Sequence, residues 1–186
     1  MRIRAYDELI PRVLPLVLSC PRTLALDALQ ATGVDFCRES EAWIEEFDET
    51  VWNGDPLIEV SVDRGQVITK ILSLYIGGSA IDHGFYDPRT GSVVLRSTPS
   101  YDSSAHITAV MRPSRTASGL PEAIMEEWGD VLAAGALTRL KLMTGQNIEW
   151  SDPQGAAYHK QIYDEGAALA RIQALRSRHG NSLLLI

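Results

Sequence analysis

The sequence predicts an α+β fold: N-terminal helices, a small antiparallel β-sheet, then two C-terminal helices and an extended apolar C-terminal tail. Three observations carry this. Apolar residues recur at helical spacing over residues 22–47 and again over 120–179. Between these stretches, residues 57–112 change to a period of two, broken by turn residues. Strands gathered between helices, rather than alternating with them, indicate α+β and not α/β. The expected organisation is a single domain over residues 1–179, with the sheet region 57–112 inserted, and a tail over 180–186.

The first segment, Tyr6 to about Leu18, is short and helical or irregular, because Pro11 and Pro15 interrupt it. Asp7 and Glu8 break its apolar run and no clean cleavage site follows, so it is read as a structured start rather than a signal peptide. Pro21 precedes the next helix, expected from Arg22 or Thr23 to Phe47 on the spacing of Leu24, Ala28, Ala31, Val34, Cys37 and Ile44. Its end is acidic, with Glu39, Glu41, Glu45, Glu46, Asp48 and Glu49, and reads as a solvated face.

Strands are expected over Leu57–Val62, Gln66–Ile76, Ile81–Tyr86, Ser92–Thr98 and His106–Arg112. Asp63-Arg64-Gly65 and Gly77-Gly78-Ser79 are turns, and Asp87 to Gly91 is a hairpin loop. The stretch Pro113–Gly119 reads as a linker.

The strongest single signal is LPEAIMEEWGDVLAAGALTRLKLMTGQNIEW, residues 120–150. Pro121 suits a first helical turn, Glu122, Glu126 and Glu127 suit the positive end of the dipole, and Arg139 and Lys141 the negative end. Gly145 marks the C-terminal cap. The run Ala133-Ala134-Gly135-Ala136 has almost no side-chain bulk, so another backbone can approach it, and the last helix is the expected partner. Ser151-Asp152-Pro153 opens that last helix, which should run to Arg178 or His179 and stop at Gly180. The chain then ends in NSLLLI. Four bare aliphatics, Leu183, Leu184, Leu185 and Ile186, are unusual at a terminus. They either fold back on their own domain or bury themselves in a partner, and the second is the expectation.

Composition excludes several classes. The 186 residues are 45% hydrophobic and 22% charged, which is ordinary for a globular chain. No apolar run approaches the ~20 residues of a membrane span. The net charge of −7 does not suit a grip on phosphates, which depends on Lys and Arg displacing counterions. A helix-turn-helix around Gly33 would present Asp35, Glu39 and Glu41 to DNA and is set aside on that ground. The two cysteines, Cys20 and Cys37, form no metal pattern, and without a secretion signal reduced thiols are expected.

No catalytic motif stands out. There is no Gly-Lys pair to make a phosphate loop and no Gly-x-Ser-x-Gly elbow. His83, His106, His159 and His179 are scattered, and Asp82-His83 reads as a strand-edge pair. Trp43 and Trp128 are expected as core anchors, and Trp52 and Trp150 are read the same way. Residue chemistry alone names no function: no catalytic residues, cofactor or metal are expected.

The ordered set of local strings resembles a known family. A helix carries Val34-Asp35-Phe36-Cys37-Arg38-Glu39-Ser40 followed by Trp43; a long strand carries Val67 to Tyr75; Met111-Arg112-Pro113-Ser114 closes the sheet. Pro121, Glu126, Trp128 and the Ala134-Gly135-Ala136-Leu137 run follow, and Trp150-Ser151-Asp152-Pro153 opens the terminal helix. Together these are similar to the adaptor, or head–tail connector, proteins of tailed bacteriophages. The resemblance implies a virion protein without catalytic activity, assembled in the host cytoplasm. It implies a homo-oligomeric ring, usually a dodecamer, below the portal protein, contacting a downstream tail or neck protein and extending the DNA channel without specific DNA binding. In such adaptors the C-terminal segment clasps the portal, a role that falls here on Leu183 to Ile186. Another neck component, a stopper or tail-completion protein, is the alternative, and a DNA-packaging protein is weaker.

Overall fold

The computed structural model describes residues 2–89, 91–145 and 148–182, with side chains to Arg178. The fold is α+β, with long helices and antiparallel sheets. It separates into two compact units, Trp43–Arg112 and the sequence on either side of it.

The helical unit begins with strand β1 (Ile3–Ala5), a 3-10 turn (Tyr6–Leu9), the short helix α1 (Ile10–Val13) and a second 3-10 turn (Leu14–Leu16). Pro11 and Pro15 sit in the first turns of their segments, where a missing N–H costs nothing and continuation is discouraged. Helix α2 (Arg22–Ser40) follows. After the β unit come β9 (Gly119–Pro121), α3 (Glu122–Lys141) and α4 (Pro153–Ser182). β1 pairs antiparallel with β9, Ile3 opposite Pro121. The segment expected as a linker therefore ends in a strand, and Pro121 caps α3 from outside instead of occupying its first turn.

The second helix ends earlier than its spacing suggests. The Ser40 hydroxyl donates to the Phe36 carbonyl at 2.7 Å and accepts from Ala42 N–H at 3.2 Å. Glu41 takes a left-handed conformation, φ 52°, that closes the helix through its N–H to the Cys37 carbonyl. The acidic run then becomes β2 (Ile44–Val51), an eight-residue strand paired with β8 (Ser103–Pro113) from Ile44↔Val110 to Val51↔Ser103. This long-range pairing outweighs the helical preference of the glutamates. The inserted β region thus starts at Trp43, not at residue 57.

Within that unit, β2, β8, β4 (Gln66–Ile76) and β5 (Ser79–Ala80) form one sheet in that order. β3 (Leu57–Glu59), β7 (Ser92–Leu95) and β6 (Tyr86–Arg89) form another. Gly77 and Gly78, at φ 56° and 82°, make the two-residue turn joining β4 to β5, a geometry that needs positive φ at both positions. The expected strand Ile81–Tyr86 is instead an irregular stretch with a 3-10 turn, and pairing begins at Tyr86. Phe47 and Val62 pack on a core that includes Val51, Ile58, Ile71, Leu74 and Ile107.

Candidate functional site

Among the residues singled out from the sequence, the small run and Trp128 of α3 lie against α4. The small run Ala133 to Ala136 is buried along α3. Its seam has two partners: a Cβ on Gly135 would come 2.5 Å from Thr32 Cγ2 of α2 and 2.6 Å from Tyr163 Cδ2 of α4. One turn further along α4, Gly166 meets Val131 of α3, where a Cβ would stand 2.3 Å from Cγ2. Helix α3 is therefore gripped between α2 and α4 at near-backbone distance.

Polar contacts fix α4 along its length. At its start the Asp152 carboxylate accepts from Gly155 N–H at 2.9 Å and from Lys141 Nζ at 2.9 Å. These two donors, the lysine foremost, hold the Asp152 carboxyl below the usual carboxylate range. Tyr163 Oη donates to Glu39 Oε2 at 3.0 Å, and Gln173 Nε2 to Glu127 Oε1 at 2.7 Å. Burial, reinforced by Glu39, pushes the Tyr163 hydroxyl up, so it stays a donor at neutral pH. Near the far end, Arg178 forks onto Glu41: Nη1 to the carboxylate at 2.7 Å and Nη2 to the main-chain carbonyl at 3.0 Å. This pair is largely shielded from water and ties α4 to the left-handed residue that ends α2.

The helix does not stop at Gly180 but continues through Ser182. A glycine inside a helix costs only ~1 kcal/mol against Ala, too little to end one anchored along its whole length. The expected partner-binding residues Leu183, Leu184, Leu185 and Ile186 lie outside the described residues.

The two expected core anchors differ. Trp43 is buried, with its Nε1 donating to Glu45 Oε1 at 3.0 Å and its carbonyl accepting from Met111 N–H at 2.7 Å. Trp128 is half-buried: its ring lies 6.0 Å from that of Phe36, and it walls a groove of about 220 Å³ with Ile124, Ala170 and Ala174. Trp52 is not a core residue at all. It is exposed, and lines an open cleft of about 460 Å³ with Glu49, Asp55 and Glu59. The β unit as a whole carries ten acidic against five basic side chains, so −5 of the chain's −7 resides there.

Among the described residues no three His, Cys, Asp or Glu side chains are grouped to hold a metal. His83 Nδ1 lies 2.5 Å from Tyr86 Oη, and His106 Nδ1 lies 2.8 Å from Asp48 Oδ1 on the paired strands β2 and β8. Cys20 and Cys37 are buried free thiols, and burial pushes both up, away from the reactive thiolate. No described helix is long and apolar enough to cross a membrane. No protein-family model matches the chain, and no curated protein matches it in sequence.

The small-residue seam was legible from its lack of bulk. Thr32 as its second partner, and the Glu41–Arg178 pair, were not. Contacts between residues so far apart in the chain leave no local pattern, and an acidic residue at a helix end is ordinarily just solvated.

Proposed function

We propose that this chain is a neck protein of a tailed-bacteriophage virion: a subunit of a ring below the portal that joins head to tail and extends the DNA channel. The observation that carries this reading is helix α4. It spans 30 residues, which at ~1.5 Å each reach ~45 Å, and it is braced against α2 and α3 from Asp152 to Arg178. Such a helix is a stiff lever, and it leads toward the apolar string Leu183-Leu184-Leu185-Ile186. An apolar peptide at the end of a braced arm is suited to burial in a neighbouring protein, here the portal.

The charge distribution supports the same reading. An acidic β unit repels a phosphate backbone and lets it slide past, where a basic one would grip it. The same excess weighs against a DNA-packaging or regulatory DNA-binding role. The function is structural, with no cofactor, and a downstream neck or tail protein is the second partner. A stopper or tail-completion protein is the neighbouring alternative, and it lacks the portal-clasping use of the tail.

Removal of residues 183–186 separates the two. The truncated chain, mixed with heads carrying the cognate portal, is expected to lose attachment while its circular dichroism and thermal unfolding stay unchanged. Attachment at the level of the full chain would exclude the adaptor use of the tail.

A further inference from the structure

Helix α4 has an outer face that the helical unit leaves uncovered. Along it, Tyr158, Ile162, Glu165, Leu169, Ile172 and Arg176 follow each other at alternating spacings of four and three residues. That is the spacing of a coiled-coil seam, with Glu165 and Arg176 at two of its six positions and Ile162 partly buried. Leu169 and Ile172 at its centre are 59% and 46% exposed, and Leu175 flanks them. The opposite face of the helix, at Ala156, Ala167, Ala170 and Ala174, is the one buried in the unit.

We propose that this face pairs with the same face of a second copy, antiparallel, about a two-fold axis between Ala170 and Arg171. In an antiparallel coiled coil each layer joins an a position of one helix to a d position of the other. The register centred on that axis sets Leu169 against Ile172 of the second copy, twice. It also sets Glu165 against Arg176 at both ends of this apolar centre. Arg176 is exposed and has no partner among the described residues, while the exposed Glu165 carboxylate accepts from Gln161 Nε2 at 2.8 Å. A parallel pair would stack Glu165 on Glu165 and Arg176 on Arg176, so charge selects the antiparallel arrangement. An isologous contact closes at two copies. It therefore does not build the ring proposed above but holds the chain outside it, and the two readings stand or fall separately.

Sedimentation equilibrium of the full chain tests this. The expected behaviour is a monomer–dimer equilibrium that Leu169→Glu or Ile172→Glu shifts to monomer. Glu165→Arg alone and Arg176→Glu alone should each weaken the dimer about tenfold or more, the effect of losing ~1.4 kcal/mol. Combining them should restore it, because the pair is re-formed with its signs exchanged. Thermal unfolding at a concentration where all variants are monomeric checks that each still folds, and Leu169→Ser provides a milder change should the glutamate disturb the helix. A wild-type chain that stays monomeric throughout the concentration series overturns the proposal. So does a chain that grows past two copies, or a charge-swapped double variant no tighter than the singles.

Discussion

Gly135 and Tyr163 touch at the distance of a bare backbone against a ring: a methyl group on Gly135 would stand 2.6 Å from Tyr163 Cδ2, with Thr32 Cγ2 at 2.5 Å on the other side. Two helices thus approach α3 at one residue, and neither neighbour is the loose end of a long side chain. Replacing glycine by alanine in a helix ordinarily gains ~1 kcal/mol. Here the overlap should reverse that sign, since overpacking a filled interior costs ~1–3 kcal/mol. Gly135→Ala is expected to lower the denaturation midpoint, and Gly135→Leu to lower it much further. Equilibrium unfolding in urea checks this; an alanine variant as stable as the parent would mean that α3 is not gripped at this point.

A second close approach has a different chemistry. Tyr6 is buried, yet its hydroxyl has no hydrogen-bond partner among the described residues, and a Cβ on Gly33 would stand 2.3 Å from that oxygen. Burial pushes the Tyr6 hydroxyl well up, as expected of a group poorly served by its surroundings. An unsatisfied buried polar group costs ~1–3 kcal/mol, so Tyr6→Phe should be neutral or stabilising, against the usual trend for a core residue. Gly33→Ala should destabilise the parent and be better tolerated in the Tyr6→Phe background, because the atom in its way is gone. The double-mutant cycle should then give a coupling of at least ~0.5 kcal/mol. Strict additivity would show that the two residues do not meet.

These contacts also mark where sequence reading stops. Strand β4 was legible to the residue, because alternation over Gln66–Ile76 is bounded by Gly65 and Gly77. β2 was hidden: Glu45, Glu46, Asp48 and Glu49 are not strand formers, and no Gly or Pro separates them from α2. What makes them a strand is β8, about sixty residues away; Trp43, Phe47 and Val51, four residues apart, fit a helix as well as a strand. The pairing of β1 with β9 had no local signal at all, since three residues are too few to show a period. Along α4 the same division holds. The absence of bulk at Ala133–Ala136 announced a seam, but Glu41 and Arg178 are 137 positions apart and their pairing belongs to the tertiary fold alone.

Acid should loosen the base of α4 in two separate steps. His159 is partly buried, and burial, with Lys141 nearby, holds its pKa below the ordinary histidine value. Its neutral form is therefore the one the fold prefers. Above ~pH 6.5 both folded and unfolded chains carry it neutral, and it contributes no pH dependence. Below that the unfolded chain takes up the proton first, so stability falls as pH drops through the folded value. Asp152 acts lower down. Its carboxyl lies below the usual range because Lys141 and the Gly155 N–H favour the charged form. That stabilisation is fully present above ~pH 4 and is lost as pH falls through the folded value. Midpoints of urea unfolding measured from pH 8 to pH 3 should decline in both windows. His159→Gln should flatten the upper one and leave the lower, while Asp152→Asn should flatten the lower one at the expense of stability at pH 7. An Asp152→Asn curve parallel to the parent below pH 4 would show that the Lys141–Asp152–Gly155 contacts do not cap α4.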